Sequence, residues 1–231
     1  MAGDIRIGTS GWHYPTGKGT WNGPFYPKTR PRGFDELRFY AERFDTVEVN
    51  ATFYRQPEAG MSRKWLERTP ASFLFSIKLF QKFTHPDMFL KRPGATDWDV
   101  TPGDLDAFRA GLDPIAAAGR LGALLVQFPS SFHNEEPTRE YLRWLLDAFR
   151  DYPRAVELRH ESWRDSTLVN ELGACRVLQD EPFSEFQGSR VPGFRGSLVY
   201  VRLHGRNKAN WWEHENPEDR YNYLYSAEEL Q

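Results

Sequence analysis

Polar residues close the apolar runs of this chain, and several come in pairs spaced by two. Glu48 and Asn50 end the run 46–50, Glu157 and Arg159 fall at the end of 155–160, and Arg202 and His204 at the end of 198–204. Lys78 stands near the end of 74–80 and Gln127 near the end of 122–128. Alternate residues of a strand face one side, so each pair points into one shared space. Polar groups at the C-terminal ends of parallel strands describe the mouth of a βα barrel, where active sites are built. Eight such groups converging on one mouth exceed what packing requires and mark a ligand site.

The residue types suggest anion chemistry. Lys78, Arg159 and Arg202 are cations, Glu48 and Glu157 are anions, and His160 and His204 add positive character, so the mouth reads as mildly cationic. That balance suits a phosphate or carboxylate on a small molecule, which could be sugar-like. In this division of labour Lys78, Arg159 and Arg202 bind the anion, and Glu157 or Glu48 moves a proton. His204 is the partner acid or base, and Asn50 and Gln127 orient hydroxyls. A hydrolase, lyase or isomerase working through Glu157 fits this set. A buried Glu157–Arg159 ion pair that only orders the strand ends fits the same two residues.

No cofactor is expected, but a divalent metal is a competing reading. His13, His85, His133, His160 and His204 all follow strand ends, and Glu48, Glu157 and Asp180 could supply oxygens. Barrels of the endonuclease IV and xylose isomerase types use such ligands. Against a metal, there is no tight His-x-x-x-His or Cys-x-x-Cys spacing, and Lys78, Arg159 and Arg202 would repel a cation. Other motifs fall away. Gly17-Lys18-Gly19 is no phosphate loop, Gly8-Thr-Ser-Gly11 is no nucleophile elbow, and Cys175 reads as a small buried hydrophobe.

Strands over 5–12, 46–54, 73–80, 123–128, 155–160, 175–180 and 198–204 must position these groups. Helices alternate with them over 34–43, around 59–68, and over 104–117, 138–150 and 166–172, with another beginning at Ser226. Thr101 and Thr138 read as N-caps and Gly173 as a stop. This is an α/β chain with a TIM-type parallel βα barrel, in which seven strands are visible and an eighth is missing at the C-terminus. Long connections over 13–33, 81–103, 181–196 and 205–225 follow strand C-termini and crown one face. Residues 1–231 form one domain, since no linker or low-complexity tract divides them.

Composition narrows the partners. The net charge of −2 leaves no global basic field for nucleic acid. Lys18, Lys28, Arg30 and Arg32 on the first long loop still allow a nucleic-acid backbone as an alternative partner, and aromatic loops (Trp12, Tyr14, Trp21, Trp211, Trp212) could stack bases or sugars. A non-catalytic ligand sensor is a third reading. One cysteine permits no intrachain disulfide, and no apolar leader or membrane-length apolar run is present, so a cytoplasmic location is expected with no membrane partner. The oligomeric state is open.

Several stretches carry a resemblance. Ile7-Gly-Thr-Ser-Gly-Trp12, Val47-Glu-Val-Asn-Ala-Thr-Phe-Tyr54, Phe75-Ser-Ile-Lys78 and Thr84-His85 are followed by Val126-Gln-Phe-Pro129 and Val156-Glu-Leu-Arg-His-Glu-Ser-Trp163. Tyr200-Val-Arg-Leu-His-Gly205 and the tyrosines 221, 223 and 225 complete them. In this combination the chain resembles the YecE-like family, domain of unknown function 72. The resemblance implies a TIM-type barrel, no settled activity, and a further helix and strand beyond residue 231. Trp12, Tyr54, His85, His160 and Trp163, which lie in these stretches, join the expected ligand-binding set.

Overall fold

The alternation along β-strands decides which side chains reach the site. The computed structural model describes residues 4–17, 19–182 and 197–230. The elements, in chain order, are α1 (Glu36–Ala41), β1 (Thr46–Val49), α2 (Ala51–Tyr54), α3 (Ala59–Glu67), β2 (Leu74–Lys78), α4 (Pro86–Leu90) and α5 (Pro102–Ala117). They continue with β3 (Leu121–Gln127), α6 (Glu136–Ala148), β4 (Arg154–Glu157), α7 (Leu168–Glu171), β5 (Cys175–Arg176), β6 (Leu178–Asp180) and β7 (Val201–Leu203). Strands β1 to β5 form a parallel sheet in chain order, and β6 and β7 form a second parallel pair.

The two faces of the larger sheet do different work. Leu124, Val126, Val47, Phe75, Ile77 and Val156 point outward and pack under the helices in one large core. Fully burying side chains of this kind is worth roughly 1.5–3 kcal/mol each. Ala123, Leu125, Ala155 and Val177 point the other way and form a small second cluster with Leu198 and Tyr200. Glu48, Ser76, Lys78, Gln127 and Glu157 continue that second face, two residues on from one another along their strands.

The strands differ from the expected ones in instructive ways. The segment 5–12 bonds to the β1 region through Asp45 N–H to Ile7 O (3.1 Å) and Glu48 N–H to Thr9 O (3.0 Å). It forms only one ladder bridge, Ser10 with Glu48, and is not a strand. A Cβ on Gly8 would sit 2.0 Å from Thr46 O, so only glycine allows this approach. The run 46–54 ends as strand at Val49, and Asn50 precedes the helical turn α2. The run 175–180 changes partner midway. Val177 N–H bonds to Val156 O (2.9 Å), and the next residue, Leu178, bonds to Tyr200 O (2.9 Å). The ladder therefore breaks into β5 and β6, and among the described residues the strands close no barrel.

Helix ends follow local chemistry. Thr101 caps α5 in a reciprocal pair with Asp104, at 3.2 and 2.8 Å. At α6 the cap is Glu135, and Thr138 sits one turn in, its Oγ1 accepting the Glu135 N–H at 3.0 Å. Gly173, with φ of +67°, ends α7 as a left-handed stop. Residues 227–230 form a turn in place of the expected helix. Most of the 181–196 connection and Lys18 lie outside the described residues. No helix among those described is long and apolar enough to cross a membrane.

Candidate functional site

One guanidinium organises the strand ends. Arg202 donates to both oxygens of Glu48, Nε to Oε2 at 3.0 Å and Nη2 to Oε1 at 2.8 Å. Its Nη1 donates to Glu157 Oε2 at 2.5 Å and to Gln127 Oε1 at 3.3 Å. The fork geometry of arginine fits this use, and the side chain is only 10% exposed. Glu157 Oε1 accepts from Arg159 Nε at 2.7 Å. Ser10 Oγ (2.9 Å) and Tyr200 Oη (2.9 Å) complete Glu48. Strand register sets this meeting, since Gln127 pairs with Glu157 and Arg202 with Gln179.

Every oxygen of the two carboxylates is therefore engaged by an arginine. Burial alone would push the Glu157 carboxyl up, but Arg202, Arg159 and His204 together hold it below its usual range. Arg202 goes the other way. Burial lowers it, while Glu157 and Glu48 raise it further above its already high value. Glu157 thus anchors both Arg202 and Arg159, and Glu48 anchors Arg202.

His204 and His85 are neutral near pH 7. Burial pushes His204 down to about 4, with Arg202 adding to the effect. Its Nε2 faces Arg202 Nη1 at 3.5 Å, and because arginine only donates, that nitrogen accepts. Burial, then Lys78 and Arg159, likewise push His85 down to about 4. His85 packs edge-on to Phe53 at 4.9 Å and meets Thr84 Oγ1 at 2.8 Å. Neither His204 nor His85 therefore adds positive charge beside Lys78, Arg159 and Arg202 near pH 7.

Lys78 and Arg159 are the cations with capacity left. Lys78 ends β2 with Nζ 4.2 Å from the Phe53 ring, and forms no ion pair among the described residues. Burial pushes its ammonium down to about 8, with Arg202 contributing and Glu48 and Glu157 opposing. Arg159 pairs with Glu157 through Nε and keeps its side chain 36% exposed. Glu181, which the sequence did not single out, is near enough to couple to Arg159 and Glu157, and burial pushes its carboxyl up. Ser10 lies outside the strands, whereas Tyr200 stands two residues before Arg202 and shares its face, so the spacing that marked Arg202 and His204 extends to it.

The remaining expected residues lie outside this network. Asn50 is the cap of α2, and its Oδ1 is buried without a hydrogen bond. His160 stacks on His133 at 3.8 Å and accepts the Ser162 N–H at 3.2 Å. Trp163 is fully buried, donating to Phe132 O at 2.8 Å and stacking on the Phe132 ring. Trp12 packs edge-on to Trp65 at 5.9 Å, and Tyr54 is largely exposed beside Phe53. No group of three or more His, Cys, Asp or Glu among the described residues is placed to hold a metal. Open clefts of about 420 and 440 Å³ lie elsewhere, one against Arg139, Arg143 and Ser162, the other against Arg55 and Pro57.

A second network anchors the last long connection. Asp180, on β6, receives Arg206 Nε at 2.9 Å and Tyr225 Oη at 2.7 Å. Tyr225 Oη also accepts the Gly205 N–H at 2.8 Å. Two of the three tyrosines marked in the sequence thus have places here, since Tyr223 Oη donates to Glu229 at 2.7 Å and Arg206 reaches the same carboxylate.

Residues 6–231 match the family described as protein of unknown function DUF72. The chain belongs to the DUF72 family. It is 30% identical to the UPF0759 protein YunF of Bacillus subtilis (strain 168), over 98% of this chain and 80% of that protein. Among solved structures it is similar to a DUF72 family protein (TM1631) of Thermotoga maritima MSB8, with a TM-score of 0.74 and 31% identity over 97% of this chain and 83% of that one. A DUF72 family protein (EF0366) of Enterococcus faecalis V583 shares the fold, with a TM-score of 0.76 and 23% identity over 98% and 81% of the two chains.

Proposed function

We propose that this DUF72 protein binds a small anionic molecule, phosphorylated or carboxylated, at its strand ends, with Arg159 as the principal contact and Lys78 as the second. The observation that carries this reading is the contrast among three cations. Arg202 is enclosed by Glu48, Glu157 and Gln127. Arg159 uses one nitrogen on Glu157 and remains partly exposed. Lys78 has no carboxylate partner among the described residues. Partly desolvated cations with unused donors favour an oxyanion, and a charge-assisted hydrogen bond is about twice as strong as a neutral one.

In this reading the two sheets are parts of one interrupted TIM-type barrel, and Arg202 ties β7 to β1 across its interior. Glu48 and Glu157 are positioning residues. The former holds Arg202, and the latter aims Arg159 outward.

Calorimetric titration with inorganic phosphate tests the reading. Binding is expected in the unaltered protein, with affinity falling about tenfold or more in Arg159→Gln. Equal affinity in the two proteins would refute it, as would no heat in either.

A further inference from the structure

We propose that Nζ of Lys78 forms a Schiff base with a small aldehyde or ketone that carries a phosphate or carboxylate. The inference rests on the anion reading above, because Arg159 is to hold the acidic group while the amine meets the carbonyl.

Placement is the first argument. Lys78 closes β2 on the face shared by Gln127, Glu157 and Arg202. Its backbone is fixed by Thr52 Oγ1, which donates to Lys78 O at 2.6 Å. The Phe53 ring walls one side of the amine at 4.2 Å. Lys78 is half-buried at the end of its strand, and a lysine held there only for structure would be expected to pair with a carboxylate. Both nearby carboxylates are engaged by arginines, and Lys78 has no ion pair among the described residues.

Reactivity is the second. An amine attacks a carbonyl only when unprotonated, and enzymes activate such lysines by desolvation and adjacent cations. Both are present here, and they push Lys78 down to about 8. About a tenth of the amine is then free at pH 7, against about one part in three thousand for an ordinary lysine.

The step balances without a further reagent. The Nζ lone pair forms a bond to the carbonyl carbon, and the C=O π pair moves to oxygen, which takes a proton. Nitrogen releases a second proton, having given up the first when the ammonium became the free amine; both protons end on the carbonyl oxygen, which leaves as water, and a C=N bond remains. Ammonium plus carbonyl thus becomes protonated imine plus water, with no change in net charge.

Reductive trapping tests the proposal. The protein is incubated with sodium cyanoborohydride and either pyruvate, glycolaldehyde phosphate or uncharged glycolaldehyde, and the modified lysine is mapped by mass spectrometry. Phosphate binding is titrated in parallel. The expected result is an adduct on Lys78 with both anionic probes, about tenfold more than with glycolaldehyde, and reduced in Arg159→Gln. Mapping in the unaltered protein stands whether or not Lys78→Met folds. Phosphate binding without an adduct on Lys78 overturns the Schiff base and leaves the anion site standing. An adduct equal for all three probes overturns the anionic substrate class. Neither phosphate binding nor an adduct overturns both.

Discussion

Arg202, on β7, grips Glu48, on β1, with two of its nitrogens although 154 residues separate them in the chain. The same guanidinium holds Glu157 on β4 and Gln127 on β3, so four strands meet at one cation. Removing one partner of a buried ion pair leaves an uncompensated charge, which costs about 3–5 kcal/mol. Arg202→Met should therefore lower the stability read by urea unfolding by about that amount. Arg202→Lys should recover only part of it, because an ammonium cannot span both carboxylates. A loss under about 1 kcal/mol in Arg202→Met would mean that the cluster is not holding the strands together.

Lys78 should behave in the opposite sense. Its folded pKa, about 8, is below the unfolded value of 10.5, so its protonated form is less favourable in the fold. Between those values the unfolded chain holds more protons, and stability rises with pH. Lys78→Met should be more stable than the unaltered protein at pH 7, by about 1–3 kcal/mol, and should lack the rise between pH 8 and 10.5. Thermal unfolding at pH 7 and pH 10 measures both. A destabilised variant at pH 7 would assign Lys78 a stabilising partner.

The histidines set the acid side. His204 and His85 each fall from 6.5 to about 4 on folding. Their contribution is fully present above 6.5 and is lost as pH falls toward 4. Glu157, held below its usual range, begins to matter only under about 4.5. Between pH 7 and pH 5 each histidine should therefore account for about 1–2 kcal/mol of lost stability. Urea midpoints of His204→Gln and His85→Gln at the two pH values check this. Slopes unchanged from the parent would exclude both rings as the cause.

Gly8 tests the segment that carries Ser10. A Cβ there would meet Thr46 O at 2.0 Å, so Gly8→Ala must push 5–12 away from β1. Ser10 would then leave Glu48. A cost of about 1–3 kcal/mol is expected, with weaker phosphate binding. Unaltered stability would show that the segment does not need this close contact.

Much of the site was readable because strand alternation is a rigid rule. Glu157 with Arg159 and Arg202 with His204 were found from spacing alone, and the structure brings all four into contact with one another or with a shared partner. Asn50 was misplaced because strand β1 stops one residue before it, and two-residue spacing loses its meaning in a helical turn. Trp163 and His160 sat in the right stretch, but packing on Phe132 and His133 claims their rings. Ser10 and Tyr200 reach Glu48 from segments remote in sequence, which no local pattern reports. The neutrality of His204 and His85 follows from burial, and burial is a property of the fold. The single strand expected over 175–180 breaks at Val177, where one apolar run serves two sheets.

The most direct test of the anion site is a crystal structure of the protein soaked in phosphate. Density for one anion within hydrogen-bond reach of the Arg159 terminal nitrogens and Lys78 Nζ is the expected result. A phosphate held only in the Arg139–Arg143 cleft, with Arg159 and Lys78 unoccupied at saturating concentration, would contradict it.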